Sequence, residues 1–493
     1  MESYKAAFNF SSRLYQKLTT MPSTDSPGII VARFLKANHY YETLKAFLEE
    51  AGLPEDAAST NPGDWTIEKI LEEKHQYDTS LAFERKGEEH LTGWAEPAPS
   101  KPVEPDVQIK SNVLCVASSR GKDGLDEELL ITTADKSWSQ VSTQVPFKHQ
   151  GSIDNAHGSP VLSISTLQGY VFSTSMSGQL MLHDGHGRLL DKVRDHLKYA
   201  IQVTTEVAQN QRWIVATAGW DQKVHLYAPE HDLVENFQPG DAIPADNEPH
   251  INGVLGDPIH TITLPTNPES LVLVRHPDTT ELYLVLSRRD SSFLYYYRVT
   301  PTSAESSSSR SSQISYSVQE TGRQNLAPHS NAWVAFTPSC LALSPADPTL
   351  LAVATSHLPH MKLLIVRLLF PTTTSDPLPV SQTQASQARA ELAVQDKEDR
   401  AIKLQVSTMS PQTPYSTPQV VWRPGGNGVF VNADDGVIRG VDTQSGKVVS
   451  LLKAHEVGSK IRTLHAAFET GEHGKREILV SGGFDKKVFV WRV

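Results

Sequence analysis

The sequence predicts an all-β seven-bladed propeller with a small α-helical module in front of it. Three observations lead there. From about Ser111 onward, short runs rich in β-branched residues alternate with turns, at intervals that suit units of about 40 residues. The last run, ILVSGGFDKKVFVWRV, sets a hydroxyl, an aspartate turn and a Trp on successive strands. Before about residue 100 the apolar residues follow helical spacing instead, and the Pro-rich stretch WAEPAPSKPVEPD, from Trp94 to Asp106, parts the two regions.

Those patterns divide the chain into a helical hairpin region over 1–60, an amphipathic helix over 61–93, a Pro-rich linker over 94–102 and a propeller over 103–493. Blades are expected near 111–150, 157–192, 197–230, 258–300, 331–370, 415–450 and 460–493. Two insertions rich in Ser, Thr, Gln and Pro, near 301–330 and 371–400, read as mobile loops.

Composition narrows the classes of function. A chain of 493 residues exceeds one compact core, and 39% hydrophobic with 20% charged residues fits a soluble protein of short strands and turns. The formal net charge of −11, without a dense Lys/Arg cluster, argues against direct nucleic-acid binding. Cys115 and Cys340 are too few for a disulfide framework or a thiolate metal site and fit a reducing compartment, the cytoplasm or nucleus. MESYKAAFNF has no signal-peptide pattern, and MKLLIVRLLF (Met361–Phe370) is too short to span a bilayer, so no membrane association is expected.

In the first region Ile30, Phe34 and Leu35 form one apolar stripe, and Leu44, Phe47 and Leu48 another. Ser26 can cap the first helix with Pro27 at its first position, Asn38 and His39 interrupt it, and Gly52 with Pro54 ends the second. A hairpin this small buries its large side chains economically by pairing with a second copy; packing on the propeller is the other solution. The stretch GIIVARFLKANHYYETLKAFLEEAG resembles a LisH motif at Phe34, Leu35, Tyr40, Leu44, Phe47 and Glu50. That resemblance implies homodimerisation. The following segment, DWTIEKILEEKHQYDTSLAFERKGEE, carries Ile67, Ile70, Leu71, Tyr77 and Leu81 at near-heptad spacing and either extends the dimer or lies along the next domain.

In the final repeat KAH precedes the strand IRTLHAAF, and His455, Ser481, Asp485 and Trp491 occupy the positions of a WD repeat, which this segment resembles. The resemblance implies a structural hydrogen-bonded set. Buried together, an imidazole, a hydroxyl, a carboxylate and an indole N–H satisfy one another, whereas each alone would be costly. The third blade repeats the pattern in WIVATAGWDQKVHLYAP through Thr217 and Asp221, with Tyr227 for Trp and His196 upstream. In the second, Ser173, Ser177 and His183 stand where Ser, Asp and Trp are expected, so its set is largely lost. Since WRV reads as a third strand, the last blade needs an outer strand from elsewhere, and Val103–Ile109 can supply it.

Phosphate-loop, zincin and nucleophile-elbow motifs are absent, and the histidine spacings are irregular, so no catalytic residue, metal or cofactor is expected. GGNG at Gly425–Gly428 reads as a hairpin turn, and Asp434 and Asp435 as another. The expected function is a non-enzymatic interaction scaffold: a LisH homodimer that presents propeller faces to other proteins of unassigned identity. The alternative is a propeller enzyme with a site in the central channel, which would need converging His, Glu or Asp on the inner strands.

Overall fold

The computed structural model describes residues 26–61, 64–71, 93–120, 127–144, 146–154, 157–185, 187–209, 211–229, 253–302, 315–327, 336–371, 384–471 and 474–493. It divides into two compact units, Met1–Leu91 and Thr92–Val493. Among the described residues no helix is long and apolar enough to cross a membrane.

In the first unit α1 (Pro27–Ala37) starts where Ser26 is extended and its hydroxyl accepts the N–H of Ile29 at 3.4 Å. Pro27 fits the first turn because no N–H partner is needed there. His39, at φ 63°, turns the chain into α2 (Tyr41–Glu50), and Gly52, also at φ 63°, releases it. Ala32, Leu48 and Ala58 form the buried core, with Leu44, Phe47 and Leu53 packed against it. Arg33 is buried as well, and its guanidinium donates to Asp64 Oδ2 at 2.7 Å and to the carbonyl of Trp65 at 3.0 Å, which fixes the chain beyond the hairpin to α1. Of the expected amphipathic helix, residues 67–71 are helical, and 72–92 lie outside the described residues.

The second unit is a seven-bladed propeller, each blade an antiparallel sheet of four strands. Its inner strands are Val113–Arg120, Val161–Leu167, Ala200–Val207, Pro268–Arg275, Pro338–Leu343, Val420–Trp422 and Ile461–Gly471. Apolar side chains of adjacent blades interleave: Val113, Val116, Leu129 and Ile131 of the first meet Ile478, Val480, Val488 and Val490 of the last. The core is therefore a ring of blade-to-blade interfaces.

Three outer strands sit elsewhere than the sequence suggested. The third blade takes its outer strand from His260–Thr263, where the sequence spacing places the start of the fourth. In the fourth, Ser315–Asn325, inside the expected mobile insertion, pairs along Phe293–Thr302. The fifth uses Ile402–Pro411, preceded by helix α3 (Gln384–Ala401), where a loop to residue 400 was expected. These strands are polar or alternating because one face of an outer strand meets water, so no apolar run marks them. The remainders of both insertions, 303–314 and 372–383, lie outside the described residues.

The ring closes through Lys101–Val103, which pairs with the last strand as Lys101↔Arg492, Pro102↔Trp491 and Val103↔Val490. Val103–Ile109 was expected there. Pro102 suits the outermost position, where its missing N–H leaves no ladder bond unmade, while Val107 and Ile109 turn in to pack against the interface between the first and last blades. The expected linker is also part of the fold. Trp94 lies edge-on to Phe430 at 5.5 Å between ring centroids, and the Arg423 guanidinium sits 4.7 Å over its ring. Gly428 and Gly440 form the floor of that slot, since a Cβ on either would run into the indole.

Candidate functional site

The hydrogen-bonded sets fix one end of the propeller. In the last blade His455 Nδ1 is 2.8 Å from Asp485 Oδ2, His455 Nε2 is 2.8 Å from Ser481 Oγ, and Trp491 Nε1 donates to the same Oγ at 2.9 Å. The Asp485 carboxylate also accepts the N–H of Glu456 at 3.1 Å, tying the connection before the inner strand to the turn after the second. Burial alone would push that carboxyl up; the bond and charge of His455 with the two backbone N–H groups outweigh it and hold it low.

In the third blade His196 joins Asp221 and Thr217, each at 2.9 Å, and Asp221 is likewise held down, at about 2, against the upward push of its burial. Tyr227 departs from the pattern by sending its hydroxyl to Asp195 at 2.8 Å. Gly219 is required here, because a Cβ would collide with the His196 imidazole. In the second blade His157, which no motif marks in the sequence, keeps its 2.8 Å bond to Ser173, while Ser177 turns to Ser175 and Gln179. With no carboxylate to meet it, His157 Nδ1 is buried without a partner.

His196, Asp221 and His225 bring three potential metal-ligand atoms within 4.8 Å of one another. Both ring nitrogens of His196 serve Asp221 and Thr217, and His225 Nδ1 serves Thr261 at 2.9 Å, so these contacts form a hydrogen-bond network, while His225 Nε2 is buried without a partner. His225 stands where the last blade has Phe489 against His455, and burial beside His196 pushes its pKa down to about 4.

What this end of the propeller encloses comes from a repeated irregularity. In six inner strands the ladder skips one residue near the start: Leu114, Leu162, Ile201, Glu269, Ser339 and Arg462. A bulge takes its residue out of the pairing and re-aims the side chain. All six line one cavity of about 530 Å³ at the mouth of the central channel. The residue after each bulge links blades: Ser163 Oγ accepts the N–H of Val203, Ser270 Oγ that of Leu341 and Thr463 Oγ1 that of Val116, at 3.1–3.2 Å, and Gln202 pairs with both backbone groups of Leu271 at 3.0 Å. Cys115 and Cys340 hold the equivalent places, and burial pushes both thiols up to about 11, so they stay protonated. Glu269 pairs with Arg289 at 2.7 Å.

Around the mouth stands a rim of large apolar side chains in water. Leu197, Tyr415 and Val457, on the connections that enter the third, sixth and seventh blades, are 80%, 89% and 99% exposed. Trp220, Leu358 and Phe484, on turns between second and third strands, are exposed on the same end, and Tyr199 packs beside Trp220 with ring centroids 5.3 Å apart. None of these residues stood out in the sequence, because each is a lone apolar residue in a polar loop.

In the hairpin Leu44 and Phe47 pack into the core of their own hairpin, Phe34 and Leu35 are half-buried outside that core, and Tyr40 is exposed.

Comparison with family models matches residues 89–492 to the beta-propeller domain of the UCP007778 family and residues 29–54 to its LisH domain. No curated protein matches the chain significantly.

Proposed function

The chain belongs to the UCP007778 family, and from its two modules we propose that it is a non-enzymatic scaffold of the cytoplasm or nucleus, homodimeric through its LisH hairpin, that docks partner proteins on the channel-mouth end of the propeller. The observation that carries this reading is the rim of Leu197, Trp220, Leu358, Tyr415, Val457 and Phe484 around a polar mouth. Exposed apolar side chains gathered at one end mark an interaction surface, and aromatic anchors around polar groups suit a protein partner. Chemistry at the mouth favours binding over catalysis: both thiols are protonated, and Glu269 is engaged by Arg289. Two propellers per dimer would multiply weak contacts into avidity.

The test is quantitative affinity purification with mass spectrometry on the wild type and on Leu197→Ser/Val457→Ser. Proteins recovered with the first and depleted with the second support the reading; identical recovery contradicts it.

A further inference from the structure

Four charged residues line the mouth: Glu269, Arg289, Asp290 and Arg462. Glu269 and Arg289 neutralise each other at 2.7 Å, whereas Arg462 has no ion pair or hydrogen bond among the described residues. Its titratable neighbours are the thiols of Cys115 and Cys340, which are neutral and give it no counter-charge. A guanidinium stays protonated at any physiological pH, so a half-buried positive charge without an ion pair is built into the channel mouth. It gets there by a bulge, in a sheet position where the other bulged residues are Leu114, Leu162, Ile201, Glu269 and Ser339.

We propose that the mouth binds a carboxylate-bearing segment of a partner protein, with the carboxylate paired to Arg462 and flanking apolar residues resting on Leu114, Leu162 and Ile201. This rests on the docking face proposed above and names the chemistry it selects. An Arg fork donates two parallel hydrogen bonds to a carboxylate. The Thr463 hydroxyl, having accepted the Val116 N–H, still has a hydrogen to donate toward an anion. Blades one to three supply an apolar arc that begins beside Arg462, since the seventh blade adjoins the first. One unpaired cation suits a singly charged carboxylate. A phosphate dianion would exceed the charge of that single cation, and Asp290 adds a like charge to the lining.

The test uses the full chain and a phage-displayed library of linear peptides, followed by titration of the enriched sequences. Enrichment of one Asp or Glu beside Leu, Ile or aromatic residues is expected. A selected peptide should lose at least about tenfold in affinity on Arg462→Met. The same peptide with its acid changed to the amide should lose as much on the wild type and little more on the variant, the signature of a direct pair. Arg462→Lys, which keeps the charge, should retain part of the affinity, with melting temperatures showing that both variants fold. Equal affinity for wild type and Arg462→Met, or tenfold tighter binding of a phosphoserine version, overturns the carboxylate assignment. Binding lost in Leu197→Ser/Val457→Ser but intact in Arg462→Met overturns this inference alone, and enrichment of no binding peptide overturns the docking face with it.

Discussion

Trp491 donates its indole N–H to Ser481 Oγ at 2.9 Å, and that oxygen also meets His455 Nε2 at 2.8 Å. One hydroxyl thus satisfies two buried groups, and Ser481→Ala orphans both. The expected loss is about 2–4 kcal/mol, measured by urea denaturation. Thr217→Ala should cost about half as much, because Tyr227 keeps its bond to Asp195 and the loss falls mainly on His196. Equal losses would show that the two sets do not differ as their geometry says.

Ring closure predicts a graded response to truncation. A chain beginning at Thr92 keeps both Trp94 and the strand Lys101–Val103 and should melt like the full-length propeller. Removal of residues 1–100 takes Trp94 from its slot and should cost about 3 kcal/mol, in the range of deleting a packed aromatic. Removal of 1–104 also strips the outer strand and should lower the melting temperature further. Identical melting of all three would mean that the last blade holds without its clasp.

The buried histidines set an acid limit. Burial lowers His157 well below 6.5 and takes His183 and His465 down to about 4, so below pH 6.5 the unfolded chain binds protons that the folded chain refuses. Stability is therefore full above about pH 6.5 and falls as the pH drops toward 4, by up to about 1.4 kcal/mol per pH unit for each histidine. Asp221, held at about 2 against an ordinary 3.8, adds a second loss only below pH 4. Denaturation midpoints across this range should decline, and less steeply in His465→Gln; a flat profile between pH 7 and 5 would contradict the assignment.

Dimerisation is best tested at Phe34. Leu44 and Phe47 pack within one hairpin, so a charge there would damage the hairpin itself, whereas Phe34 is half-buried outside that core and open to a second copy. Phe34→Asp should convert a dimer into a folded monomer by light scattering after size exclusion. A wild-type chain that is already monomeric at micromolar concentration would remove the dimer from the account.

The sequence shows what local spacing can show. His455, Ser481, Asp485 and Trp491 are legible because four distinctive residue types recur at strand and turn positions, and the hairpin because Ser26, Pro27 and Gly52 punctuate it. Ser315–Asn325 was hidden because an outer strand needs no apolar run. His157 was hidden because the aspartate that would announce it is Ser177. The mouth was least visible: Leu114, Glu269 and Arg462 share nothing in residue type, only a bulge at the same register, and register exists once strands are paired.

Docking of partners at the channel-mouth end is read out by cross-linking mass spectrometry of the co-purified complex. Lys198 and Lys486 are exposed at that end, beside Leu197 and Phe484, and Lys447 and Lys475 are exposed at the opposite end. Partner cross-links are expected at Lys198 and Lys486, with few at Lys447 and Lys475. Cross-links concentrated at Lys447 and Lys475 would contradict docking at the channel mouth.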